Sequence, residues 1–349
     1  MSSISWASGS DQLPPEEMIF GQSPQMRVIR AKMEKVATAS VPVLIHGASG
    51  TGKETIAKLI HRWSDRRDGP FVKVNCPAIP EALLESELFG YEKSAFTGAY
   101  DSKSGLVEHA EAGTLLLDEI AELSLSMQAK LLELLQNGHF SRLGGTESKK
   151  VDARIECTTN RSLENEVSVG AFREDLFYRV NIVAIELPAL RERRQDIPPL
   201  VEYFRNRFNR EYGRSTPPLA KRTLKLLLEH RWPGNIRELE NLIRRYVVLD
   251  SEETVVDELL GAELTNFTSQ LSGNDESVSL KSLTRQASRD LERRIILHVL
   301  HANNWNRKEA ARVLKVSYRG LFYKIKSAGL PGKKQRITAV ERSRPEEAL

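Results

Sequence analysis

Cysteine is almost missing from this chain of 349 residues: there are two, Cys76 and Cys157, each inside an apolar stretch. Two isolated thiols make neither a disulfide framework nor a metal cluster, and they read as buried, reduced thiols of a cytosolic protein. No apolar run comes near the roughly 18 residues that cross a bilayer. The N-terminal MSSISWASGSDQLPPEE has neither the basic start nor the apolar stretch of a secretory signal. Membrane and secreted classes are set aside, and a cytoplasmic location is expected. Internal repeats are also lacking. What is present, 40% apolar and 28% charged residues, is the ordinary balance of a soluble globular protein, long enough for a large and a small domain.

The formal net charge of +4 hides an asymmetry. From Lys281 onward there are 17 Lys and Arg against 6 Asp and Glu, a balance of +11; the preceding residues carry 34 against 41, or −7. A basic end on an acidic body points to a polyanion partner for the C-terminal part, with a merely solvated basic tail as the plain alternative.

Along the chain, helical spacing (Met26, Ile29, Met33, Val36) runs from Gln25 to Thr38 and is followed by the β-rich VPVLIHG. Alternation continues with a helix over 53–63, strand FVKVN at 71–75, a helix over 80–89, strand GTLLLDE at 113–119, a helix over 125–136 and strand ARIECTTN at 153–160. Short buried strands alternating with helices predict an α/β fold, a parallel sheet flanked by helices. Beyond AIELPALRERRQDI the strands stop, and 196–250 reads as a helical subdomain broken sharply at RWPGN. After that break Ile236, Leu239, Leu242, Ile243, Tyr246 and Val247 share one helix face. A polar stretch without periodicity, GAELTNFTSQLSGNDESVS, reads as a linker.

HGASGTGKE follows a β-rich run and opens a helix, the context of a phosphate-binding P-loop. The spacing Gly47-x4-Gly52-Lys53 brings the N–H groups of Ser49, Gly50, Thr51 and Gly52 onto phosphate oxygens, with Ala48 completing the turn. Lys53 adds a point charge, and the helix N-terminus adds its dipole. Glu54 stands where the general pattern has a Ser or Thr for Mg²⁺; Thr55 comes one residue late. TLLLDE then presents Asp118 to hold Mg²⁺ and Glu119 to polarise a water towards the γ-phosphate. ATP and Mg²⁺ are the expected cofactors, and hydrolysis the expected chemistry.

The chain resembles the bacterial enhancer-binding proteins, AAA+ ATPases that activate sigma-54 RNA polymerase, through GASGTGKE, ELFGYEKSAFTGA, GTLLLDEI, FREDLFYRV, LPALRERRQDI and WPGNIREL in that order. The likeness covers about residues 20–250 and 285–330. It implies a role for each matching position. Asn75 would hold Glu119 away from water until the effector loops engage; Thr159 and Asn160 form the first sensor; Arg237 is the second sensor, on the helical lid. Arg173 and Arg179 match the arginine fingers that reach the γ-phosphate of the neighbouring subunit, which implies a ring, usually a hexamer.

SAFTGA resembles the family's GAFTGA loop, which implies sigma-54 contact by Ser94, Ala95, Phe96, Thr97, Gly98 and Ala99, with the Phe96 ring at the tip. Its small residues let the backbone bend, and Gly98 is free to take positive φ. Ser94 replaces the first glycine and is expected to stiffen the loop. Gly144 and Gly145 resemble the second pore-facing loop, with Arg142 at its basic position.

Near the end, NNWNRKEAARVLKVSYRGLFYKIKSAGL reads as helix, turn, helix. Asn306 can cap a helix from Arg307 to Leu314, Ala310 and Ala311 allow close crossing, and Ser317 can cap a second helix buried through Leu321 and Ile325. Tyr318, Arg319, Tyr323 and Lys326 then face outward for the major groove, while Arg307, Lys308 and Arg312 are candidates for phosphate contact. It resembles the Fis-type motif, with Lys315 where the turn usually has glycine. The helix before it carries Leu291, Ile295, Ile296 and Val299, as a dimer face or as packing against the motif.

The resulting organisation is an extension over 1–20, an α/β ATPase subdomain over 21–190, a helical lid over 191–258, a linker over 259–280, a helix-turn-helix domain over 281–330 and a polar tail over 331–349. The expected activity is ATP-driven remodelling of the sigma-54 RNA polymerase holoenzyme from an upstream enhancer. The rival is a DNA-binding AAA+ regulator, a repressor or independent of sigma-54, with an impaired SAFTGA loop. About 20 residues ahead of the ATPase are too few for a sensor domain. Control is therefore expected from a partner protein acting in trans, from expression level or from mixed assembly with a related subunit.

Overall fold

The computed structural model describes residues 13–259, 296, 299, 306–314 and 316–327, which fall into two compact units divided after Gly261. The tail over 331–349, the linker from 260 on, Leu291, Ile295, Lys315 and the side chain of Lys326 lie outside the described residues.

The first unit opens with α1 (Glu16–Phe20) and α2 (Pro24–Ala37), the latter starting at a proline whose fixed φ suits a first helical turn. Then come β1 (Val43–His46), α3 (Lys53–Trp63), β2 (Phe71–Asn75), α4 (Glu81–Phe89), the short strands β3 (Gly90–Tyr91) and β4 (Lys103–Ser104), and α5 (Leu106–His109). β5 (Thr114–Asp118), α6 (Leu125–Asn137), the hairpin β6 (His139–Ser141) and β7 (Ser148–Lys150), β8 (Arg154–Thr159), α7 (Leu163–Ser168), α8 (Glu174–Val180) and β9 (Val183–Glu186) complete the α/β layer. Five of these strands form one parallel sheet in the order β2-β5-β8-β1-β9.

Parallel strands covered on both faces should be apolar throughout, and β5 is: Leu115 and Leu117 enter the core under α4 and α6, while Leu116 enters the opposite core under α2 and α3. Because β1 lies between β8 and β9, the chain crosses over at this strand, leaving a crevice at the carboxyl ends of the sheet. The two small two-stranded ribbons, β9 and the short helices α5, α7 and α8 had no clear periodic signal. Two to seven residues are too few to show one.

The lid contains α9 (Ile197–Tyr212), α10 (Lys221–Glu229), α11 (Asn235–Leu249) and a helix over 252–259. Leu239, Leu242, Ile243, Tyr246 and Val247 of α11 are buried in its core, and Ile236 is partly buried. Trp232 of RWPGN is fully buried in a left-handed conformation (φ 52°), its indole N–H donating to Leu227 O at 2.8 Å. This anchor fixes where α11 begins.

In the second unit the first helix spans Arg307–Val313 and the second Tyr318–Ser327. Asn306 Oδ1 accepts from the N–H groups of Lys308 and Glu309, and Ser317 Oγ accepts from Gly320 N–H. Ala310, Ala311, Leu321 and Ile325 form a small core with Ile296, so Ile296 packs on the motif. Tyr318, Arg319, Tyr323, Lys308 and Arg312 are exposed, and Arg307 is half-buried.

Candidate active site

At the end of β1 the chain turns through the P-loop into α3, with Gly50 and Gly52 at φ 77° and 101°, a region that L side chains rarely adopt. A cavity of about 690 Å³ lies there, lined by Ser49, Gly50, Thr51, Gly52, Lys53, Glu54, Thr55, Asn75, Asp118, Glu119, Asn160 and Arg237. Asp118 ends β5, Asn75 ends β2 and Thr159 ends β8, and the parallel register places Asn75 beside Asp118. Residues up to 188 apart in sequence thus meet because each ends a strand or begins a helix at the same rim.

Lys53 is 7% exposed; its Nζ lies 3.0 Å from Glu119 Oε1 and donates to Gly47 O at 2.9 Å. Glu119 does not extend the strand as its sequence suggested. It takes φ 61°, starting a tight turn in which its N–H donates to Thr158 Oγ1. Its Oε2 accepts from Asn160 N–H at 2.8 Å. The carboxylate is therefore held by Lys53 and Asn160; Asn75 is exposed at the same cavity and makes no described hydrogen bond to it. Thr159 Oγ1 turns towards its own loop, donating to Arg161 O and accepting from Arg161 N–H.

Two residues missed by sequence reasoning complete this cluster. Thr158 Oγ1 donates to Asp118 Oδ1 at 2.5 Å. Lys73, the lone charge of FVKVN, sits 3.0 Å from Asp118 Oδ2 and 2.7 Å from Glu54 Oε2. Burial opposes the charge on Lys73, but the hydrogen bonds and charges of the two carboxylates outweigh it and raise its pKa. The same balance, burial against Lys73 and Lys58, leaves Glu54 below the usual carboxylate value. Thr158 offered no signal of its own; Lys73 did, as a cation in an apolar strand.

The arginines are placed differently. Arg237 is exposed on the lid, with its guanidinium 3.3 Å from Ser49 Oγ. Arg173 forks onto Asp175 at 3.0 and 2.6 Å, and Arg179 donates to Leu135 O at the end of α6; neither lines the cavity.

In the SAFTGA loop, Phe96 is 44% exposed, with its ring edge-on to Tyr91 at 5.0 Å. Ser94 N–H donates to Ala99 O at 2.8 Å, closing the loop over the buried Ala99, with Ala95 and Thr97 between. Gly98 has φ 108° with open space around it, and Ser94 is also left-handed at φ 69°. The second loop is seated on the first. A Cβ on Gly144 would lie 2.7 Å from Ala95 Cβ, and Arg142 donates to Glu92 at 3.0 Å and to both oxygens of Glu108 at 2.8 and 2.7 Å. Glu108 is held below its ordinary pKa chiefly by the hydrogen bonds from Arg142.

Comparison with known proteins agrees with this geometry. Residues 19–186 match the family described as Sigma-54 interaction domain, 191–277 the AAA+ ATPase lid domain, and 288–327 the Bacterial regulatory protein, Fis family. The chain is 43% identical over 316 residues to the Nif-specific regulatory protein of Azotobacter vinelandii, covering 90% of this chain and 59% of that protein. It is 46% identical over 313 residues to regulatory protein AtoC of Escherichia coli K12, covering 89% of this chain and 68% of that one. Among solved structures, NtrX from Brucella abortus in complex with ADP superposes with a TM-score of 0.67 at 34% identity, over 89% of this chain and 69% of that one. The chain thus spans about three fifths to two thirds of the length of these relatives. It belongs to the bacterial enhancer-binding protein family, AAA+ transcription regulators built on a sigma-54 interaction domain.

Proposed function

We propose that the protein hydrolyses ATP at the Lys53–Asp118–Glu119 rim and uses the energy to move the Phe96 loop against sigma-54 RNA polymerase, from enhancer DNA held by the C-terminal motif. One observation carries the reading: a lysine, two acids and the open N–H groups of a P-loop share one cavity. A bound phosphate competes with Glu119 for the Lys53 ammonium. Drawn to the β- and γ-phosphates, it would leave Glu119 Oε1 free to orient a water while Asn160 N–H holds Oε2. Thr159 and Asn160 then sense the phosphate, and Arg237 closes from the lid.

Donor chemistry at Asp118 suits Mg²⁺: a hard carboxylate oxygen, Oδ2, that already attracts the Lys73 ammonium, while Thr158 fixes Oδ1. Bound with the nucleotide, Mg²⁺ would offset phosphate charge. Arg173 and Arg179 act in trans, in a ring, after giving up Asp175 and the α6 carbonyls. Asn75, exposed at the same cavity, is the group that would restrain Glu119 until the loops engage their target. On DNA, Tyr318, Arg319 and Tyr323 read bases, while Lys308, Arg307 and Arg312 meet phosphates, with the motif acting as a dimer.

The test compares Phe96→Ala with Lys53→Ala. The first should keep ATPase within about threefold and lose sigma-54-dependent open-complex formation by at least about tenfold; the second should lose both. Equal loss of both activities in Phe96→Ala would refute the loop assignment. A second reading, a regulator with an impaired loop, is favoured by one observation: serine, not glycine, occupies φ 69° at position 94. Wild-type protein that hydrolyses ATP but forms no open complexes would select it.

A further inference from the structure

Three consecutive carbonyls of the P-loop are held from outside by the lid side of the crevice. Asn235 Nδ2 donates to Ser49 O at 2.8 Å, Ile236 N–H to Gly50 O at 3.0 Å, and an Arg193 NH2 group to Thr51 O at 3.1 Å. A trans peptide points its carbonyl and the following N–H in opposite directions. Holding Ser49 O and Thr51 O outward therefore aims the N–H groups of Gly50 and Gly52 inward, and among the described residues neither has a protein acceptor.

The two side chains are built for this. Asn235 is fully buried at φ 52°, a conformation asparagine tolerates better than most residues, and its Oδ1 accepts from Leu190 N–H at 2.9 Å. Arg193 is 3% exposed; burial works against its charge, and the buried Asp196 recovers only part of that cost. Asp196 Oδ1 in turn accepts from Gln22 and Ser23 N–H at 2.6 and 3.1 Å. The approach is close: a Cβ on Gly50 would lie 2.2 Å from Gly234 O.

We infer that Arg193 and Asn235 are positioning residues that preorganise the P-loop for phosphate, so that lid placement sets nucleotide affinity through the loop backbone as well as through the Arg237 contact. The inference rests on the nucleotide reading above. Without the clasp the loop peptides are free to rotate, and phosphate binding must order them, which weakens ground-state binding more than turnover.

The test titrates the full chain with a fluorescent ADP and measures ATPase for wild type, Lys53→Ala, Arg193→Met, Arg193→Lys and Asn235→Asp. Arg193→Met should weaken ADP binding about tenfold and raise KM similarly, with kcat within about threefold; Arg193→Lys, which retains a donor, should recover most of the loss. Asn235→Asp keeps the acceptor for Leu190 but removes the donor to Ser49, and should also weaken binding about tenfold. It decides the matter should Arg193→Met fail to fold. Wild-type affinity in Asn235→Asp and in any folded Arg193→Met, with binding still lost in Lys53→Ala, overturns the inference alone. No binding by wild type, or equal binding by Lys53→Ala, overturns the nucleotide reading and the inference with it. Affinity losses that merely track a fall in nucleotide-free melting temperature also overturn the clasp.

Discussion

Glu156 sits in the middle of β8, fully buried, with neither carboxylate oxygen hydrogen-bonded among the described residues. Its neighbour Arg154 lies 3.4 Å from Oε1 but spends its NH groups on Ala37 O and Val36 O at the end of α2. Burial pushes the Glu156 carboxyl up to about 8, with Arg154 offsetting only part of the rise. Below about pH 4.5 the acid is protonated in the folded and the unfolded chain alike, and its ionisation costs nothing. As pH rises, the unfolded chain releases the proton while the folded chain keeps it, so stability falls by about 1.4 kcal/mol per pH unit until the folded acid ionises. Over the whole window the cost is on the order of 5 kcal/mol.

Replacement by glutamine keeps the shape and removes the titration. Urea unfolding of wild type and Glu156→Gln, from about pH 5.5 to about pH 7.5, should show the difference moving in favour of the variant by about 3 kcal/mol. Parallel pH profiles for the two proteins would refute the buried-acid argument, because an amide cannot ionise over that range.

The effector loops give two further tests. A left-handed serine costs about 1 kcal/mol relative to glycine, so Ser94→Gly should slow amide exchange at position 94 and at Ala99 about fivefold after correction for intrinsic rates, read by hydrogen-exchange mass spectrometry. Faster exchange would show that loop flexibility, not strain, dominates. Gly144→Ala should push the second loop off Ala95 and lower transcription activation at least about tenfold while ATPase stays within about threefold; an unchanged transcription rate would uncouple the loops.

Most of the site's identity was written locally. The P-loop, the paired acids, the apolar strands and the Asn306 and Ser317 caps are short-range patterns, fixed by residues a few positions apart, and they lie where their spacing predicts. The boundaries moved by a residue or two, as at α2 and at Glu119, where the strand yields to a left-handed turn. What each side chain touches was not written locally. Lys73 bridges Asp118 and Glu54, and Thr158 holds Asp118, because the parallel register of β2, β5 and β8 aligns segments tens of residues apart. Arg193 and Asn235 reach the P-loop only after the lid has folded over it, 142 and 186 residues away. Sequence alone therefore named the candidate groups; the order of strands and the seating of the lid decided which residues touch them. A motif records its own backbone, whereas a partner across the sheet depends on every connection that lies between.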